Sequence, residues 1–201
     1  LLRADRLLRD SGSALRIETY HDRIRETMTT RLSAADARTI HRRLINALNA
    51  RDADDAEGLF EHYRGAGDQE GASRQAVRAA QKARDALAFD MAALWYRSAL
   101  ELAPQSPSAI DWRQGLAESL ANAGRPHDAG EMYLDAARDA PRARHVDLQS
   151  RAAEQFLVGG HVDRGFDVIG NVLGEVGLRF PRSRRAMIAS FLVRRLQLRW
   201  R

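Results

Sequence analysis

Between Ser73 and Pro104 the sequence reads SRQAVRAAQKARDALAFDMAALWYRSALELAP, with small and apolar residues recurring at helical spacing on two successive segments. Ala76, Ala79, Ala80 and Ala83 fall on the first segment, and Ala92, Tyr96 and Ala99 on the second. Side chains this small let two antiparallel helices approach closely, while one large ring fills the gap between neighbours. Pro104 then stops the second helix. The stretch therefore predicts a close-packed helical pair, and the next hundred residues vary the same pattern.

A second copy runs from Ile110 to Ala143, with Leu116, Ala117 and Leu120, then Gly124 at the turn, then Ala129, Tyr133, Ala136 and Pro141. A looser third copy runs from Val146 to Arg179 through Ala152, Ala153, Phe156, Gly160, Gly165, Ile169 and Val172, and lacks the proline. The order small, aromatic, small, proline resembles the second helix of the tetratricopeptide repeat, whose period is about 34 residues. That family's early aromatic is missing: Ala76, Arg113 and Gln149 stand in its place, with Trp112 one residue early. The fold expected is all-α, a tetratricopeptide-like solenoid of helical pairs over residues 69–180.

With 201 residues the chain can bury a substantial core, and 44% hydrophobic with 29% charged residues suits a folded protein rather than a disordered one. The absence of cysteine excludes disulfides, thiolate metal sites and a cysteine nucleophile. The longest apolar run, Ala186 to Val193, is too short to span a bilayer, and no signal peptide is evident, so a cytoplasmic location is expected. The net charge of +5 is local in origin: from Leu178 onward there are eight arginines and no acidic residue.

The apolar spacing of Leu1, Leu2, Leu7 and Leu8 predicts the end of a helix, and Asp10 to Ser13 a turn. Ala14 to Tyr20 alternates and predicts a strand, after which Ile24, Met28 and Leu32 restore helical spacing. Ser33 with Asp36 forms a capping-box-like start for a helix reaching Ala50, with Ile40, Leu44, Ile45 and Leu48 inward. Ala53 to Arg64 predicts another helix, with Leu59, Phe60 and Tyr63 inward and Gly65 to Gly67 as its stop. Past Pro181, Ser183 caps a predicted last helix reaching about Trp200, with Met187, Ile188, Phe191, Leu192, Leu196 and Trp200 on its apolar side.

The run Thr19-Tyr20-His21-Asp22-Arg23-Ile24-Arg25-Glu26, an aromatic residue and His-Asp between a strand and an amphipathic helix, resembles the closing motif of the winged helix in STAND-class signalling ATPases. The resemblance implies a division into 1–32, the end of a winged-helix segment; 33–68, linking helices; 69–180, helical repeats; and 181–201, a basic amphipathic helix. It also implies that His21 contacts ADP phosphates supplied by a module outside these residues, in a parent that binds ATP or ADP and belongs to a group in which Ser/Thr kinase or cyclase domains occur. The absence of a Met start and the charged ending lead us to expect a piece of a longer polypeptide. The chain itself carries no Walker loop and no kinase catalytic constellation, so no catalytic residue and no cofactor is assigned to it. Its six histidines show no metal-ligand spacing in the sequence, and no metal is assigned.

The face lined by the first helix of each pair is where tetratricopeptide arrays bind partners, and here it carries Arg74, Gln81, Arg84, Gln114, Glu118, Asn122 and Glu154. Glu118 replaces the asparagine of the family's carboxylate clamp, so the expected partner is a protein or another domain of the same polypeptide, of unspecified charge. The tail, with Arg182, Arg184, Arg185, Arg194, Arg195 and Arg199, admits three roles: a further solenoid helix, which is favoured, an anionic membrane contact, or a nucleic-acid contact. Two other functions fit the same sequence, a DNA-binding transcriptional regulator and a free-standing adaptor.

Overall fold

The computed structural model describes residues 8–10, 17–19, 32–50, 54–175 and 177–178. The chain divides into two compact units, Leu1–Ala72 and Ser73–Arg201. The fold is all-α in character: among the described residues there are eight α-helices and one pair of three-residue strands. None of the described helices is long and apolar enough to cross a membrane.

In the first unit, β1 (Leu8–Asp10) and β2 (Ile17–Thr19) pair antiparallel, with Leu8 opposite Thr19 and Asp10 opposite Ile17. β2 lies inside the expected strand. The expected helix is corrected at its end: Leu8 and Arg9 are extended, their main-chain groups paired with β2, while residues 1–7 lie outside the described residues. α1 (Ala34–Asn49) starts as expected, the Ser33 hydroxyl accepting from the Asp36 amide at 3.1 Å and donating to its carboxylate at 2.7 Å. Its buried face is narrower than expected: Ile45 is buried, whereas Ile40 and Leu44 are each 40% exposed. Among the described residues α1 packs against α2 (Ala56–Ala66), and a single helix covers only one stripe of its neighbour. α2 begins later than expected because the Asp55 carboxylate caps it, accepting from the Gly58 amide at 2.8 Å. Leu59 and Phe60 are buried as expected and Tyr63 partly so. Gly67, at φ 79°, ends it.

The second unit takes in most of α3 (Gln69–Asp85), then α4 (Phe89–Leu102), α5 (Ala109–Asn122), α6 (Pro126–Arg138), α7 (Arg142–Val158) and α8 (Val162–Glu175). From α4 to α8 each helix packs on the next. The small residues expected inward are there: Ala76, Ala80, Ala92, Ala99, Ala117, Ala129, Ala136 and Ala152 are fully buried. Five described helix ends share one geometry, Gly67 after α2 and Gly177 after α8 among them. After α3, α5 and α7 a left-handed residue, Leu87, Gly124 or Gly160, sends its amide three residues back, and the following amide (Ala88, Arg125, His161) reaches five residues back. Orphan carbonyls at each helix end are thereby satisfied within a very short turn. Pro126 opens α6 at a position where no amide donor is needed, and Pro141 precedes α7.

The core of α5 to α8 joins Ala117, Tyr133, Ala136, Ala137, Leu148, Ala152, Ala153, Phe156 and Val168. Two glycines make close crossings there. A Cβ on Gly115 would lie 2.5 Å from the Tyr96 ring, and one on Gly130 would lie 2.8 Å from the Phe156 ring. Each large ring thus occupies the space left by a missing side chain on the adjoining helix.

Candidate interaction surface

Glu118, near the middle of α5, connects the first helices of the three helical segments. Its Oε2 accepts from Arg84 of α3 at 2.8 Å and its Oε1 from the Gln114 amide at 3.0 Å. Arg151 of α7 approaches Oε1 to 3.7 Å. Gln114 in turn accepts from Arg144 of α7 at 2.9 Å, and Arg144 pairs with Asp111 at 2.8 Å. One carboxylate and one amide therefore bind α3, α5 and α7 into a single polar surface.

Tyrosines on the second helices support this surface from below. Burial opposes the charge on Arg84, yet hydrogen bonding to Tyr96 and the charge of Glu118 hold its pKa above the ordinary arginine value. The Tyr133 hydroxyl is pushed up, chiefly by burial and then by the charge of Glu118, with Arg151 bonding to it and opposing the rise. Arg151, bonded to Tyr133 and to Asp147 at 3.0 Å, is held above its usual value, chiefly by Tyr133, against burial. The two rings are buried by their faces and reach the polar surface with their hydroxyls.

The seven residues expected on this face divide into two groups. Arg84, Gln114 and Glu118 are half-buried and joined to one another through the network. Arg74, Gln81, Asn122 and Glu154 are exposed. Arg144 and Arg151 were missed by sequence reasoning; the available signal was their spacing of two turns on α7, which puts both on the side facing α5. His21 and the tail arginines Arg182, Arg184, Arg185, Arg194, Arg195 and Arg199 lie outside the described residues.

Elsewhere the structure brings together histidines that sequence spacing kept apart. His41 and His62 approach to 3.2 Å between their Nδ1 atoms, with the His41 ring seated where a Cβ of Gly65 would lie. The His127 and His161 ring centroids are 4.5 Å apart. Among the described residues no group of three or more metal-ligating side chains forms. A cleft of about 500 Å³ in the first unit is bordered by Arg42, Asn46, Tyr63 and Asp68.

In comparisons with known proteins no family model matches this chain, and no curated protein or solved structure matches it either.

Proposed function

We propose that the chain is a non-catalytic helical-repeat arm that binds a protein partner, or another domain of its own polypeptide, within a STAND-type regulatory ATPase of bacterial signalling. In this reading α3–α4, α5–α6 and α7–α8 are successive tetratricopeptide-like units of a solenoid, and residues 1–32 are the end of a winged-helix segment. The observation that carries the interaction role is the surface organised by Glu118: side chains of three successive first helices held by one another, while Arg74, Gln81, Asn122 and Glu154 on those helices are exposed. Pre-ordering of this kind lowers the entropy lost when a partner docks, because the central side chains are already fixed. The near-equal spacing of the turns at Leu87, Gly124 and Gly160, 37 and 36 residues apart, supports the repeat reading. The ATPase assignment rests on the resemblance around His21, whose imidazole would contact ADP held by an ATP-binding module outside these residues.

The test is made on the full reading frame and its product. A Walker phosphate loop is expected upstream, and His21→Ala in the complete protein is expected to weaken ADP retention and raise basal output. A reading frame without a phosphate loop, or equal ADP occupancy in the variant and parent, would leave a free-standing adaptor or a DNA-binding regulator instead.

A further inference from the structure

Between α7 and α8 lies an apolar groove of about 450 Å³, with Ser150, Ala153, Glu154, Ile169, Val172 and Leu173 among its walls. Moved back along the chain by the interval separating Ala153 from Ala117, these six positions become Gln114, Ala117, Glu118, Tyr133, Ala136 and Ala137 of α5 and α6. That earlier surface is covered by α7. Ala117, Tyr133, Ala136 and Ala137 share one buried cluster with Leu148, Ala152 and Phe156 of α7, and Gln114 accepts from Arg144. The groove between α7 and α8 is thus the same seat, one step further along.

We propose that residues 182–200 of this chain occupy that groove as a helix, in the way α7 occupies the seat on α5 and α6. Three observations select this occupant. α7 meets its seat through Arg144, Leu148, Ala152 and Phe156, four residues apart, and the sequence repeats the order as Arg184, Ile188, Leu192 and Leu196. Arg144 pairs with Asp111 and Gln114, and the positions that succeed those two are Asp147 and Ser150, so the register places Arg184 beside Asp147 and Ser150. The chain from Glu175 to Arg184 is longer than that from Arg138 to Arg144, which makes the same crossing after α6. The six arginines and absent acids of residues 182–200 also complement Glu154, which lines the groove. The proposal needs only the repeated geometry of α5 to α8 and is independent of the ATPase assignment.

Because the chain has no cysteine, a pair can be introduced into all 201 residues without background. Ser150→Cys with Arg184→Cys is expected to be joined within one molecule by a short dithiol-reactive linker. The rate should be at least tenfold above that of Ser150→Cys with Gln197→Cys, which a helix would place roughly 20 Å further along. Adding Leu192→Asp to the first pair should bring its rate down to that of the second. In a cysteine-free background, Asp147→Arg and Arg184→Asp should each lower the melting temperature, and the two together should recover at least half of the loss. Equal rates for the two pairs, links formed only between molecules, or a double charge swap no more stable than the worse single one would each overturn the proposal. The second of these would assign the groove to another copy of the chain.

Discussion

The Phe156 ring of α7 fills the space in which a side chain on Gly130 of α6 would stand, with two ring carbons 2.8 Å from the position of the missing Cβ. Phe156 is fully buried, so the ring has no room to retreat. Gly130→Ala gains about 1 kcal/mol of helix propensity but overpacks a rigid crossing, which costs about 1–3 kcal/mol. The substitution is expected to lower stability by about 1 kcal/mol in chemical denaturation, and Phe156→Leu is expected to relieve part of that loss when combined with it. A more stable Gly130→Ala variant would show that the ring can move aside.

Leu87 is the one described non-glycine residue at positive φ, 59°, and its side chain is 73% exposed. Its counterparts at the same turn are Gly124 and Gly160. A left-handed conformation costs an L-residue roughly 1–2 kcal/mol, whereas glycine adopts it without that penalty and loses more chain entropy. Leu87→Gly should therefore raise stability by up to about 1 kcal/mol, seen as a higher melting temperature. Gly124→Leu should lower it by a similar amount; an unchanged melt for both would show that these turns carry no strain.

Local features of this fold were legible in the sequence. The Ser33 cap, the buried alanines of α3 to α7 and the inward Tyr96 and Tyr133 depend on neighbours three or four residues away, and periodicity reports those. The exposure of Ile40 and Leu44 was not legible, because it depends on how many helices surround α1. Nor was the pairing of Leu8–Asp10 with β2, which overrides a helix-like spacing of leucines. On the interaction surface the residue types of Arg84, Gln114 and Glu118 were legible and their mutual pairing was not. Arg84 and Glu118 sit on different helices, and only the packing of α3 against α5 sets which charge meets which. The left-handed turn at Leu87 could have been found by aligning it with Gly124 and Gly160.

Glu118 offers a test of that pairing. Replacing it with glutamine keeps the shape and removes the charge shared by Arg84 and Arg151, both only partly exposed. Ion pairs at such positions contribute about 0–1 kcal/mol each, so Glu118→Gln should cost about 1 kcal/mol and the cost should shrink in high salt. A double-mutant cycle of Glu118→Gln with Arg84→Gln should give a coupling of about 0.5 kcal/mol or more; a coupling near zero would mean that the two side chains stabilise the fold independently.

His41 and His62 make the stability of the first unit depend on pH. The pKa of His62 is lowered from 6.5, first by burial and second by the nearby His41, while Asp55 and Glu61 oppose the shift. Once unfolded, His62 regains an ordinary pKa and binds a proton more readily than it does in the fold. The unfolded state therefore takes up more protons in the window below about pH 6.5, and stability falls as pH drops through it. Above that window both states leave His62 neutral and its contribution is complete. Acidification from pH 7.5 to 5.5 is expected to lower the melting temperature of the region containing α1 and α2. His62→Gln is expected to flatten that dependence, since an amide retains a polar partner for His41 without taking a proton. An NMR titration supplies the direct measurement: a midpoint for the His62 ring at or above 6.5 would mean that the Asp55 and Glu61 charges outweigh burial and His41, reversing the predicted slope.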